Sequence, residues 1–323
     1  MLLGSKKSKE ISSVLNSPHS GMRGAAVTRQ LDYITTRVNT LHTTPEMSSN
    51  GTERRNRLRK IAEQTLKVIE DGSYTPPNSE SSVPYNLRAK INSMTTGTRY
   101  YAAESLLSSW SSSSISYTSP LPTEISLLEV SSIEGVHLLF NALHSQGIHD
   151  KVGILNFASA KKPGGGVSVL LLQLEESITD RVIQFINGAQ AQEESLARSS
   201  TLYPSLMTTT AQQFYAAHKR DPKGGYYSHA MIYSPGVIFF RDDAGGYTEP
   251  VEADMLISAA VNAGMVRNTL HGRVAGQKEE AKIEAAMRER MARLLFLFSQ
   301  RGVKNLVLGS FGTGVFRYII PSF

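Results

Sequence analysis

The sequence predicts an α/β sandwich whose ligand-binding loops lie at the carboxyl ends of its strands. Three observations carry that expectation. Short apolar runs alternate with helical periods from Arg57 onward, two of those runs pass straight into glycine-rich turns, and 323 residues at 40% hydrophobic content suffice for a large core.

The elements follow in order. Leu58, Ile61, Ala62, Thr65, Leu66 and Ile69 fall on one helical face, and Asp71-Gly72 supplies the stop. Residues 74–86 are rich in Pro and Ser and read as loop, as does the Ser-rich stretch 108–119. Residues 125–130 predict a strand, and 132–145, with Val136, Leu139, Phe140 and Leu143, a helix. A buried strand is expected over 152–157. Two further strand segments, 230–233 and 237–240, are separated by Ser234-Pro235-Gly236. The strongest helical period covers 279–300, where Ile283, Ala286, Met287, Met291, Leu294, Leu295 and Phe298 recur; a strand over 305–308 then closes the pattern.

Composition removes several classes of function. No run of eighteen apolar residues exists to span a membrane. The absence of cysteine excludes disulfides, thiolate zinc sites and a cysteine nucleophile, and the eight histidines never pair at metal-ligand spacing. The net charge is +6, of which residues 1–46 carry half, with six Lys/Arg against three Asp/Glu. No stripe of cations elsewhere would read a nucleic-acid duplex. Residues 1–52 are Ser/Thr-rich and basic, and a disordered tail is expected there, with Met47 an alternative start. The tail has no apolar h-region, so secretion is not expected.

Two loops and one polar string carry the chemistry. Lys162-Pro163-Gly164-Gly165-Gly166 and Gly309-Ser310-Phe311-Gly312-Thr313-Gly314 each follow an apolar strand, where bare main chain offers N–H groups to a diphosphate. Taken singly, each is a tight turn; together they suggest a nucleotide-diphosphate cleft. The polar string is Gln190-Ala191-Gln192-Glu193-Glu194-Ser195. Its plain reading is a solvated first helical turn favoured by the helix dipole. Adjacent acids on a helix point about 100° apart, so at most one of them is a working acid.

Residues 156–166 (NFASAKKPGGG), 187–206 (NGAQAQEESLARSSTLYPSL) and 309–317 (GSFGTGVFR) resemble the microbial-type poly(ADP-ribose) glycohydrolase family, whose signature is a triple glycine followed by Gln-Glu-Glu. The resemblance begins near Arg57, where Arg59 to Thr65 and Gly72-Ser73-Tyr74 are similar to the family's leading helix. It implies a three-layer α/β/α macrodomain-like fold over residues 53–323, with a mixed central sheet. It also implies hydrolysis of ribose-ribose bonds in poly(ADP-ribose), on the free polymer or on ADP-ribosylated protein, with no metal and no cofactor. By position, Glu194 is then the catalytic acid, with Glu193 and Gln192 at the distal ribose. Ser159, Gly164, Gly165 and Gly166 line the ribose side. Ser310, Phe311, Gly312, Thr313, Gly314 and Val315 wrap the diphosphate, and Phe316 packs on ADP-ribose. A monomer, nuclear or cytoplasmic, is expected. An ADP-ribose-binding module without turnover is the alternative. A dinucleotide-dependent oxidoreductase is set aside, because no Gly-x-Gly-x-x-Gly opens a helix.

Other conspicuous residues have plain readings. Trp110 and the pair Tyr100-Tyr101 are expected to pack rather than stack on bases. His218, His229 and His271 are expected to be surface or hydrogen-bonded residues, and Arg241-Asp242-Asp243 a solvated turn.

The chain departs from the family pattern in two places. It stops at Phe323, soon after the second glycine loop, which suggests a truncated C-terminal edge. The family leaves about six to eight residues between the triple glycine and Gln-Glu-Glu; here Val167 to Ala191 intervene. Removing residues 167–184 restores a separation of about seven. Val167-Ser168 is what a common splice donor encodes, Thr179-Asp180 fits a branch point, and Gln184 fits a CAG acceptor, so the stretch reads as a translated intron. Its rival is a genuine amphipathic insertion. Sequencing the transcript checks this: a mature message lacking codons 167–184 is expected, and one that always retains them makes the insertion real.

Overall fold

The computed structural model describes residues 50–76, 83–112, 123–164, 190–220 and 224–319. The tail before residue 50, the stretch 167–184, Gly165 and Gly166 lie outside the described residues. Helix α1 (Asn50–Asp71) precedes a two-residue ribbon, β1 (Ser73–Tyr74) with β2 (Tyr85–Asn86). Then come α2 (Arg88–Gly97), β3 (Arg99–Tyr101), α3 (Ser132–Ser145) and β4 (Val152–Phe157). Three short helices follow, α4 (Gln192–Ser199), α5 (Leu202–Leu206) and α6 (Thr209–Lys219), before β5 (Met231–Arg241) and β6 (Tyr247–Ser258). Helices α7 (Ala263–Asn268), α8 (Leu270–Ala275) and α9 (Gln277–Gln300) lead to β7 (Asn305–Val307).

The five-stranded sheet has the order β3-β5-β6-β4-β7. β3, β5 and β6 pair antiparallel, whereas β6, β4 and β7 run parallel, so the sheet is mixed. Period-two alternation sends neighbouring side chains to opposite faces. Ile154, Ile232, Met255 and Ile257 enter one core with Ala62, Met94, Val136, Leu196 and Phe214 from helices α1, α2, α3, α4 and α6. Leu155, Met231, Tyr233 and Leu256 enter a second core with Val266 of α7 and Ile283, Met287, Leu294 and Phe298 of α9. Helices thus cover both faces, which is the α/β sandwich the sequence pattern predicts and the three-layer arrangement the family resemblance implies.

Several elements differ from expectation for identifiable reasons. Ser234-Pro235-Gly236 does not break the strand: Ser234 pairs with Met255 and Val237 with Ala253, which makes a β-bulge with Gly236 at φ +64°. The Asp254 carboxylate accepts from the Gly236 N–H at 2.8 Å and absorbs the extra residue. Residues 125–130 form no strand; Ile125 is 86% and Leu127 98% exposed. An apolar run becomes a strand only where an edge accepts it, and neither β3 nor β7 pairs with this segment. Helix α1 begins at Asn50, so its first turn reaches into the span the composition gives to the tail. Arg241 is not part of a solvated turn: it is buried, donates to the Gly245 carbonyl at 2.6 Å and lies 3.9 Å over the Tyr247 ring, while Asp242 and Asp243 are exposed. Trp110 packs on the second core and donates to Glu289 at 3.0 Å. No helix among the described residues is long and apolar enough to cross a membrane.

Candidate active site

Because β4, β6 and β7 are parallel, their carboxyl ends open on one edge of the sheet. The amino end of the antiparallel β5 lies there too. Four connections meet at this edge: residues 158–164 after β4, 224–230 before β5, 259–262 after β6 and 308–319 after β7. The amino terminus of α4 joins them through side chains.

That junction is specific. Ala158 N–H bonds to Ser258 O, so alternation sends Leu155 and Phe157 to the opposite flank of β4, beyond the last residue of β7 paired with it, Val307. The Gln192 amide takes their place in the ladder. Its Oε1 accepts from Phe157 N–H at 2.7 Å, and its Nε2 donates to Leu155 O at 2.8 Å and Ser132 Oγ at 3.0 Å. One residue on, Glu193 is 1% exposed and its Oε2 accepts from Ser159 N–H at 2.8 Å. The same helix is tied down at its other end. Thr65 of α1 donates to Arg198 O at 2.6 Å and accepts from Arg241 Nε at 2.9 Å, and Thr201 N–H bonds to Ile238 O of β5 at 2.9 Å.

Glu194 has a different setting. It is 3% exposed, and its Oε2 is buried with no hydrogen-bond partner among the described residues. Burial pushes its pKa above the ordinary carboxylate value, while the main-chain groups of Glu194 and Ala191 and the charge of Arg198 pull the other way. Glu194 and Arg198 are four apart on α4 and share a face. Arg198 is itself buried, and that burial lowers its pKa against the opposing effect of Glu194. The adjacent acids therefore point apart, as helical geometry requires: one bonds to the main chain just beyond β4 and the other keeps a sheltered, protonatable oxygen.

The glycine loops separate into packing and open positions. A β-carbon on Gly309 would stand 2.6 Å from Phe157 Cζ, and one on Gly312 would stand 2.9 Å from Ala260 Cβ, with φ already at +84°. These two glycines are demanded by packing. Gly314 would meet nothing within 4 Å, and its neighbour Val315 is 86% exposed. The Phe311 ring is buried 5.7 Å from that of Phe157, so β4 touches the second loop directly. Thr313 Oγ1 and N–H both turn back to the Ser310 carbonyl, and Tyr318 N–H returns to Gly312 O. Phe316 is half-buried, 6.0 Å from the Tyr227 ring, and its carbonyl accepts from Gly264 N–H at 2.9 Å. Ser159 is half-buried and Gly164 is buried at φ +72°.

The structure thus brings Gln192, Glu193, Glu194 and Ser159 together around the end of β4, with Gly309 and Phe311 on its other side. Residues not singled out by sequence also belong here. Asn156 on β4 is buried, and its Oδ1 has no hydrogen-bond partner among the described residues. Tyr227 stands against Phe316, and behind it His218, one of the two settings expected for it being a hydrogen-bonded one, is buried between Phe214 O and Ser228 Oγ, each 2.9 Å away. Nothing local in the sequence marks Tyr227, whose position follows from the connection before β5 meeting the connection after β7. Among the described residues no cluster of three His, Asp or Glu stands where it could hold a metal ion.

Comparison with known proteins gives a consistent picture. The sequence pattern of the microbial-type PARG catalytic domain matches residues 62–181 and 184–242, the two segments parting inside the stretch 167–184. A crystal structure of poly(ADP-ribose) glycohydrolase from Thermomonospora curvata is 35% identical, with 81% of this chain and 82% of that one covered and a TM-score of 0.65. The same enzyme bound to the inhibitor ADP-HPD matches at 35% identity and a TM-score of 0.63, over the same shares of the two chains. A variant of poly(ADP-ribose) glycohydrolase from Deinococcus radiodurans in complex with ADP-ribose is 29% identical, covering 70% of this chain and 78% of that one, with a TM-score of 0.54. No curated protein sequence matches.

The Gln192 bridge yields a direct prediction. Gln192→Met keeps the volume but leaves Phe157 N–H and Leu155 O without their partner, each costing about 1–3 kcal/mol. Urea denaturation is expected to show a clear fall in midpoint, larger still for Gln192→Glu, which accepts from Phe157 but repels the Leu155 carbonyl. An unchanged midpoint would remove the bridge from the account.

Proposed function

Since the chain belongs to the microbial-type poly(ADP-ribose) glycohydrolase family and is thereby a glycoside hydrolase, we propose that it cleaves ribose-ribose O-glycosidic bonds of poly(ADP-ribose), with Glu194 as general acid and then general base. The observation that carries this reading is the buried Oε2 of Glu194, which has no hydrogen-bond partner among the described residues and lies at the carboxyl-end edge of the sheet. A carboxyl whose protonated form is favoured by burial donates its proton to the glycosidic oxygen as the bond to the ribose carbon breaks through an oxocarbenium-like state. The carboxylate so formed takes a proton from water, whose oxygen adds to that carbon. The products are ADP-ribose and a polymer shortened by one unit, and Glu194 regains its starting form.

The remaining residues bind and orient. Glu193 is assigned to the distal-ribose side, as are Ser159 and the glycines from Gly164 to Gly166; Gln192, whose amide is taken up by Phe157, Leu155 and Ser132, serves that side by holding α4 in place. Bare main chain around Gly314, with Ser310, Phe311, Gly312, Thr313 and Val315, is assigned to the diphosphate, where N–H groups meet negative charge. Phe316 packs on the ADP-ribose. Holding the diphosphate away from the breaking bond uses binding energy to align it with Glu194. The substrate is poly(ADP-ribose), free or on a modified protein.

Glu194→Gln preserves shape and removes the proton. Turnover on labelled polymer is expected to fall by about 10²–10⁴, while calorimetry shows ADP-ribose affinity within about threefold of the parent. Loss of both together would make Glu194 structural, and binding by a parent that never turns over polymer would make the chain a reader of ADP-ribose. The pH profile has a defined sign. The acid form is the working form, so kcat falls as pH rises through the elevated Glu194 pKa. Replacing Arg198 by Gln removes a charge that favours ionisation, so the alkaline limb moves to higher pH; movement the other way would contradict the assignment.

A further inference from the structure

Among the described residues, two that are not glycine have φ in the left-handed region, Tyr227 and Arg317, both at +55°. Both flank Phe316: one rings it at 6.0 Å and the other follows it in the chain. A β-carbon makes this conformation unfavourable, and it persists where surrounding contacts over-determine it, as at ligand clamps. In each case a guanidinium reaches a carbonyl at the strained position. Arg290 of α9 is buried; its Nη2 donates to Tyr226 O at 3.0 Å and Tyr227 O at 3.4 Å, and its Nη1 to Ala259 O at 2.6 Å. Arg267 of α7 donates from Nη1 to Arg317 O at 2.6 Å. Its other two nitrogens form a bidentate pair with Glu280 of α9, at 2.6 and 2.8 Å. Both contacts therefore lead back to one helix, which also accepts the Tyr226 hydroxyl at Glu279, 2.7 Å away. Arginine suits the task because its planar fork serves several carbonyls at once, which a lysine point charge does not.

We propose that α9 acts, through Arg290 and through the Glu280–Arg267 pair, as a clamp that holds Tyr227 and Arg317 in left-handed conformations and thereby fixes where the Phe316 ring meets ADP-ribose. Arg290 and Arg267 are then positioning residues for substrate, a conclusion that rests on the ADP-ribose reading of the pocket. Neither needs to touch the ligand. Their effect falls on affinity, and chemistry at Glu194, on the far side of β4, is left largely intact.

Glycine at position 317 tests the clamp, because it adopts positive φ unaided, whereas alanine keeps the β-carbon. Thermal melting and ADP-ribose calorimetry are compared for Arg267→Gln alone, with Arg317→Gly and with Arg317→Ala. Arg267→Gln is expected to melt several degrees lower and to bind ADP-ribose about tenfold more weakly. Arg317→Gly in the same chain restores most of both losses, and Arg317→Ala restores neither. Equal failure of both second substitutions would overturn the clamp and leave Arg267 as an ordinary ion-pair partner. Arg290→Gln is expected to raise KM by about tenfold with kcat within about threefold; an unchanged KM, or a loss confined to kcat, overturns its role. Should the parent chain itself fail to bind ADP-ribose, the ligand reading falls. The melting cycle between Arg267 and Arg317 still decides the clamp, since rescue by glycine supports it and additive losses refute it.

Discussion

The splice between α4 and the end of β4 is the constraint on which the candidate site depends. A parallel strand at the ligand edge exposes main-chain groups wherever its neighbour ends first, and buried groups of that kind must be paired. Here β7 stops short, and Gln192 completes the ladder with one side-chain amide. Because Gln192 is the first residue of α4, satisfying the strand also sets the position of the helix. Glu193 adds a second bond, to Ser159, so translation and rotation of α4 are both fixed. Glu194 then points where helical geometry sends it, about 100° from its neighbour. Its chemistry follows from what surrounds that direction.

The opposite layer serves the binding half in the same manner. Helix α9 fills the second core with Ile283, Leu294 and Phe298, so it is anchored by apolar burial along its length. Three of its polar residues, Glu279, Glu280 and Arg290, hold the segments that carry Tyr227 and Phe316. Its Met287 sulfur accepts from Val261 N–H at 3.3 Å, and its methyl would lie 3.4 Å from a β-carbon on Gly312. These loops are thus held by an element of the core. Helices on one face place Glu194, and α9 on the other holds the segments that carry Tyr227 and Phe316.

What the sequence made legible was what local pattern encodes. The buried strand over 152–157 and the helix over 132–145 were readable because apolar period and cap coincide; Ser131 Oγ accepts from Glu134 N–H, as an N-cap does. The Gln-Glu-Glu string and both glycine loops were readable as a combination of motifs. The division of labour within them was not. Gly309 and Gly312 look no different from Gly314 in one dimension, yet Phe157 and Ala260 occupy the space beside the first two. Gln192 looked like a ligand residue, and both its N–H groups are used by Leu155 and Ser132, positions 37 and 60 residues away. Residues 125–130 have strand propensity, but pairing is a property of edges, which local sequence does not contain. Arg290 and Arg267 lie within amphipathic helices and carry no local mark of their role.

These constraints also bear on the long connection between the glycine triplet and Gln-Glu-Glu. Were α4 located by the length of that connection, residues 167–184 would displace Glu194 and favour an ADP-ribose reader over an enzyme. Instead α4 is located by side-chain bonds to β4, by Thr65 at its far end and by the tie of Thr201 to β5. The connection then enters only through the entropy of closing a loop. Lengthening it from about seven residues to the present span of Val167 to Ala191 costs about 1 kcal/mol, because each doubling costs about 0.6 kcal/mol. That is less than the loss expected from disrupting the Gln192 bridge alone, which leaves two main-chain groups unpaired at about 1–3 kcal/mol each. Whether the stretch is a retained intron or a genuine insertion, its length is not by itself sufficient to pull the acid from its place.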